Sequence, residues 1–309
     1  MSEPGASPSV SRYLDDRGRL FEYVHWPHAE ATGLVIHFSA FFGKWGDAKP
    51  YRDQFQGYFH RLKMLGTCPD HNWLFLCDPY GAYQNGTYYL GEAGDLFVER
   101  ATRAIIDQVV ASSGVGTDEL ILLGSSMGGT AALKFGLDLQ AKGIVAIGPH
   151  IDLDVCARLQ HRFAEVAFTL PDGDPYNPAN HPVTRAVRAR LDAYPADAPL
   201  PRLFLQSCED DDGVHDEQVL PLVQAWQARG GQVELDARPV GGHTSDWATR
   251  ALLLDVIERI GRGEPAPLDT YQCEPPYVGS LTRPPLEHRI RRRLSLLRKR
   301  IVPSRQATA

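Results

Sequence analysis

Ser126 lies in Gly124-Ser125-Ser126-Met127-Gly128, a run with the spacing Gly-x-Ser-x-Gly. A serine hydroxyl is a weak nucleophile unless a base takes its proton, and that base needs a third group to orient it. The neighbouring residues meet the first requirement of such chemistry, presentation of the hydroxyl. Leu120 to Leu123 form a short apolar run of buried-strand type, and Thr130 to Gly136 continue with small residues in a helical pattern. A strand turning sharply into a helix around Ser126 lifts its hydroxyl to the carboxyl edge of a sheet. Gly124 and Gly128 keep side chains out of that turn. The helix N-terminus then offers unpaired N–H groups and a partial positive charge to a developing oxyanion.

The base and the acid are expected on loops after later strands, in the order Ser, Asp or Glu, His. Of eleven histidines, His243 follows a predicted strand through Pro239-Val240-Gly241-Gly242 and precedes Thr244-Ser245, which open a helix. That order places it at the same edge as Ser126. His215 is a weaker alternative base, and His25 and His37 sit in strand-like runs as packing residues. His150 follows the strand after the helix that starts behind Ser126 and is expected near the substrate. The acid belongs to Ser207-Cys208-Glu209-Asp210-Asp211-Asp212-Gly213, after a strand at Arg202 to Gln206. Asp211 is favoured, Asp210 is the alternative, and Asp212 stays open. Oxyanion donors are expected from the backbone N–H of Met127 and of Ser39 or Ala40.

These loops need a frame. Buried-type runs recur at Leu34 to Ser39, Asn72 to Asp78, Glu119 to Leu123, Gly143 to Gly148, Arg202 to Gln206 and Gln232 to Ala237. Helical patterns from Asp95, after Met127, at Glu217 to Arg229 and at Ser245 to Ile260 alternate with them. The alternation predicts an α/β protein, a mostly parallel central sheet with helices on both faces. Leu20 to Trp26 and Leu34 to Ser39 are expected to form a leading hairpin or edge pair. Residues 150–200 interrupt the rhythm and are expected to form a small lid or cap. The divisions are a flexible 1–19, a domain at 20–262, and a Pro-rich wrap with a basic amphipathic helix at 263–309. Aromatic stretches at 41–59 and 80–91 would lie at the active edge, where Tyr88 and Tyr89 could stack on sugar rings.

Hydrophobic residues at 43% and charged residues at 23% fit a globular chain with a sizeable core. Cys68, Cys77, Cys156, Cys208 and Cys273 show neither Cys-x-x-Cys pairs nor metal-ligand spacing, which suits a reducing compartment. Met1 to Val10 has no signal-peptide core, so a cytoplasmic location is expected. The net charge is −6, yet residues 283–305 hold nine basic side chains against Glu287 alone. The acidic body excludes nucleic acid as a partner. Leu286, Ile290, Leu294, Leu297 and Ile301 give the tail an apolar stripe, suited to an anionic membrane surface or an acidic partner. Ser126 is not followed by Gly-Lys-Ser/Thr, so no phosphate-cradling loop is expected. No cofactor and no metal are implied.

With Ser126, Asp211 and His243 in that order, residues 20–262 resemble the α/β-hydrolase superfamily. Asp78-Pro79, Gly86-Thr87-Tyr88-Tyr89-Leu90-Gly91 and Gly124 to Gly129 are also similar to hydrolase-like proteins of bacterial capsule and surface-glycan biosynthesis. The resemblance implies an α/β-hydrolase fold and ester chemistry at Ser126. That chemistry is a serine esterase or O-acyltransferase acting on a small-molecule ester or glycan. The alternative is a catalytically silent partner in a glycan-synthesis or secretion complex. The chain departs from many lipases in lacking a His-Gly-Gly-Gly oxyanion run.

Overall fold

The computed structural model describes residues 8–41, 59–82, 84, 86–160, 162–171 and 181–265. Most of the aromatic stretch (42–58), Tyr83, the turn cluster at 172–178, Cys273 and the basic tail lie outside these residues.

Eight strands form one sheet: β1 (Ser11–Leu14), β2 (Leu20–Trp26), β3 (Leu34–Phe38), β4 (Asn72–Leu76), β5 (Leu120–Ser125), β6 (Gly143–Ile147), β7 (Arg202–Cys208) and β8 (Val233–Arg238). Their order is β1-β2-β4-β3-β5-β6-β7-β8. The β1–β2 and β2–β4 pairs are antiparallel, and every pair from β4 to β8 is parallel. This is the α/β-hydrolase fold, as the alternation of strand and helix patterns predicts.

One expectation is corrected. Leu20–Trp26 and Leu34–Phe38 are not a pair, because β4 lies between them. The physical reason is burial. All five residues of β3 are buried, which requires strands on both sides and helices on both faces, whereas β2 carries exposed and half-buried positions. The hairpin partner of β2 is the short β1, whose half-buried, polar-rich pattern carries little signal.

The two faces of β3 feed two cores. Leu34, Ile36 and Phe38 join Leu74, Leu122 and the helices α1 (Phe97–Ser113) and α2 (Met127–Asp138). The helices inserted between β6 and β7, α3 (Leu153–Leu159), α4 (Phe163–Ala167) and α5 (Ala186–Ala193), extend this side, as does α6 (Leu220–Ala228) through Leu222 and Trp226. Val35 faces the other core with Trp73, Leu123 and Val145, closed by Leu253, Val256 and Ile257 of α7 (Arg250–Arg262). That last helix starts later than its pattern suggests, because Thr249 caps it by accepting the N–H of Leu252. No described helix is long and apolar enough to cross a membrane.

Packing on both faces buries histidines wholly or in part. Burial holds His25, His37, His60, His71, His150 and His215 below the ordinary imidazole range, His60 at about 4. These values lie below that of the unfolded chain, so unfolding takes up protons as pH falls through 6.5. The stability they permit is complete above 6.5 and is lost as pH descends toward 4. Urea unfolding should therefore show a midpoint that drops between about pH 7 and about pH 5, as the unfolding free energy falls by up to about 1.4 kcal/mol per pH unit per histidine. A midpoint that rises over this interval would contradict the assignment.

Candidate active site

The carboxyl ends of β5, β6, β7 and β8 converge, and each contributes one part. At the end of β5, Ser126 stands at φ 52° and ψ −122°, a conformation L-residues avoid at a cost of about 1–3 kcal/mol. Three contacts hold it. Its N–H donates to the Ile147 carbonyl (2.8 Å), and its own carbonyl accepts the Thr130 N–H (3.0 Å). Gly128 presses the start of α2 onto β3, where a Cβ would sit 2.2 Å from the Phe38 carbonyl oxygen. Beneath the turn the buried Arg61, itself at φ 62°, donates from Nη1 to Ser125 Oγ (2.7 Å). Burial lowers the guanidinium to about 10.

His243, on the loop after β8, brings Nε2 to 2.8 Å from Ser126 Oγ and Nδ1 to 2.8 Å from Asp211 Oδ2. An ionised carboxylate can only accept, so Nδ1 carries the proton, and Nε2 is left to accept from the serine. Asp211 is buried, and its other oxygen accepts from Gln160 Nε2 (3.2 Å), in the insertion between β6 and β7. Gln160 also donates to the Asp212 carbonyl, tying that insertion to the loop after β7. Asp210 serves the same loop differently: its Oδ1 accepts the N–H of Gly242 (2.6 Å), one residue before His243. Next to it, Glu209 is pushed up to about 7 by burial, then by Asp216 and Asp210. His215, the alternative base, lies apart and shares a hydrogen bond with Ser207 Oγ (2.8 Å).

At the end of β6, His150 stacks on His243 with ring centres 4.6 Å apart and planes 9° from parallel. The remaining expectations change here. His150, Tyr88 and Tyr89 do not line an open substrate surface, for their exposures are 1%, 4% and 0%. Tyr88 shares its hydroxyl with His150 Nδ1 (3.3 Å) and Cys156 Sγ (3.1 Å). Burial pushes the Cys156 thiol up to about 12, against the lowering effect of the Tyr88 hydrogen bond. The Tyr89 hydroxyl reaches the carbonyls of Ser39 (3.1 Å) and Leu76 (3.2 Å). Of the two donors expected after β3, the Ser39 N–H is already given to the Leu76 carbonyl (3.1 Å). Ala40 remains the candidate beside Met127, an N-terminal helix residue whose N–H has no intrahelical acceptor.

Sequence reasoning missed the polar frame behind this edge. Asp78, fully buried, accepts from the Thr87 N–H (2.6 Å), the Thr87 hydroxyl (2.9 Å), the Tyr89 N–H (2.9 Å) and the Tyr80 N–H (3.3 Å). Lys134, on α2 and with no exposure, pairs with Glu99 (2.7 Å) and donates to the Tyr89 carbonyl (3.0 Å). Burial alone would raise the Glu99 carboxyl, but Lys134 and Arg190 outweigh it and hold it below the ordinary range. A lone lysine in a run as apolar as Ala131-Ala132-Leu133-Lys134-Phe135 was the available signal. No cluster of three or more His, Cys, Asp or Glu among the described residues is arranged to hold a metal.

A cavity of about 710 Å³ is lined by Arg61, Lys63, Ser245, Asp246 and Arg250, and by none of Ser126, Asp211 and His243. Another of about 630 Å³ lies at the opposite, amino end of the strands, near Gly33, Glu119 and Lys142, away from Ser126.

Comparison with known proteins agrees with the fold. No family model matches the chain. The capsule O-acetyltransferase of Neisseria meningitidis serogroup A superposes with a TM-score of 0.58 at 17% identity, over 80% of this chain and 94% of that one, in its complex with CoA. The fluorophosphonate-binding serine hydrolase F of Staphylococcus aureus gives 0.55 at 12% identity, over 82% and 98%. A Glycosylation Associate Protein complex from Streptococcus agalactiae gives 0.51 at 20% identity, over 77% of this chain and 43% of that one. By sequence, an accessory Sec system protein of Staphylococcus aureus is 26% identical over 147 residues, 48% of this chain. The match spans a quarter of that relative's length. These likenesses define a protein of α/β-hydrolase fold whose structural neighbours include serine hydrolases and an acyltransferase.

The two neighbouring carboxylates can be told apart by substitution. Asp211→Asn should slow the reaction of Ser126 with a fluorophosphonate about 10³-fold or more, by losing the tautomer. Asp210→Asn, which costs one loop hydrogen bond, should slow it about tenfold or less. The rate of adduct formation by intact mass gives both numbers, and the reverse order would make Asp210 the acid.

Proposed function

We propose that the chain is a serine-dependent acyl-ester enzyme, an esterase or O-acyltransferase, with Ser126 as nucleophile, His243 as base and Asp211 as its orienting acid. The observation that carries this reading is the unbroken relay from Ser126 Oγ through His243 to Asp211, 2.8 Å at each step. In the first half-reaction Ser126 Oγ bonds to the acyl carbon while its proton passes to His243 Nε2. The oxyanion is taken by the N–H groups of Met127 and Ala40. Collapse breaks the bond to the leaving alcohol or thiol, which receives the proton from His243, and the acyl group stays on Ser126. A second hydroxyl then gives its proton to His243 as its oxygen bonds to the acyl carbon, and His243 passes that proton to Ser126 Oγ as the bond from the acyl carbon to the serine breaks. Water makes the enzyme a hydrolase, and a sugar hydroxyl makes it a transferase.

The capsule O-acetyltransferase likeness supports a carbohydrate or surface glycan as the acceptor or ester. Its complex with CoA supports a thioester donor when the second step is transfer.

A second reading has its own support. The accessory Sec system and glycosylation-associated likenesses favour a hydrolase fold that acts as a partner in a secretion or glycan-synthesis assembly. The basic stretch 283–305 would supply its contact with an acidic partner or an anionic membrane.

Intact mass after fluorophosphonate treatment separates the two. The enzyme reading expects one adduct on the wild type, none on Ser126→Ala, and a loss of about 10³-fold or more in rate for His243→Ala. A folded wild type without an adduct would favour the partner reading.

A further inference from the structure

We propose that Tyr89 is a positioning residue for the oxyanion site, its phenol setting the Ser39–Ala40 peptide so that the Ala40 N–H faces the developing negative charge. The inference rests on the acyl chemistry proposed for Ser126. In a trans peptide the C=O and the N–H point in opposite directions, so a grip on one fixes the aim of the other. The Tyr89 hydroxyl lies 3.1 Å from the Ser39 carbonyl oxygen, which belongs to the same peptide as the Ala40 N–H. Its single hydrogen is shared with the Leu76 carbonyl at 3.2 Å, so the phenol bridges the ends of β3 and β4.

The tyrosine is itself fixed at every polar atom of its backbone. It stands at φ 52°, unusual for a bulky residue, with its N–H on Asp78 (2.9 Å) and its carbonyl on Lys134 Nζ (3.0 Å). Its ring meets Phe38 edge to face at 5.3 Å, and Phe38 stacks on Phe135 of α2. From the other side the start of α2 closes on the same peptide, since a Cβ on Gly128 would lie 3.0 Å from the Ser39 oxygen. The Ser39 peptide is thus held between the phenol and the helix that carries the other donor. A hydrogen bond to a carbonyl also polarises its peptide and makes the N–H a stronger donor. Packing alone would need the ring of Tyr89 but not its hydroxyl.

The decisive variant is therefore Tyr89→Phe. Two quantities are measured: the rate of fluorophosphonate labelling, and the ratio of kcat/KM for p-nitrophenyl acetate to that for its thiono analogue. Sulfur is larger and a weaker hydrogen-bond acceptor than oxygen, so the ratio reports donors aimed at an oxyanion, and the amount of folded enzyme cancels from it. Labelling should fall about tenfold to a hundredfold, with the ester's loss in kcat rather than KM, and the ratio should fall at least about fivefold. Placing 3-fluorotyrosine at residue 89 keeps the fold, strengthens the donor and should move the ratio upward. A ratio within about twofold of wild type in both variants overturns the inference. A wild type that forms no adduct refutes the serine chemistry and this role with it; a labelled wild type with an insensitive ratio refutes this role alone.

Discussion

The backbone of Ser126 stands where a serine does not stay unaided. Its positive φ is a local cost of about 1–3 kcal/mol, and the surrounding structure over-determines it. Strand β5 enters from below with every residue buried, β6 supplies the carbonyl that takes the serine N–H, and α2 leaves with Gly128 against β3. None of these can relax without disturbing a core face. The turn is rigid because the sheet is, and the hydroxyl therefore meets His243 without a search.

A second layer of constraint is polar and lies behind the first. Lys134 and Asp78 are both buried, and each is satisfied mainly by neighbours within one short loop. Removing two charges from water is expensive, and such groups are stabilising only where their partners are well placed. Here Lys134 has Glu99 and the Tyr89 carbonyl, and Asp78 has four donors. The loop 86–91 is thereby fixed to the helix that begins just after Ser126. Gly86 shows how close that contact is, for a Cβ there would lie 2.2 Å from Met127 Sδ. The glycines and tyrosines of Gly86-Thr87-Tyr88-Tyr89-Leu90-Gly91 serve packing and hydrogen bonding at this seam.

Much of this was legible in the residues, and the limits are instructive. Continuous apolar runs marked β3, β4, β5 and β6, because a strand covered on both faces has no polar side to show. The chain order Ser126, Asp211, His243 named three side chains that do meet in space. What stayed hidden depends on partners far apart in sequence. Tyr88 and Tyr89 sit among glycines and read as exposed, since nothing local reveals that Asp78 and Lys134 bury their backbone. The pairing of β2 was misjudged because adjacency along the chain favours a hairpin, while burial gave the central place to β3. Asp210 and Asp211 could not be separated by composition, as their difference is which way each carboxylate turns.

Gln160 reaches from the insertion between β6 and β7 to the second oxygen of Asp211 and to the backbone of the acid loop. An insertion into the order of the sheet is thus bonded to the loop whose carboxylate meets the imidazole. One amide ties the two together, so exchanging the insertion for another would strip a donor from Asp211 and leave that carboxylate oxygen to find a new partner.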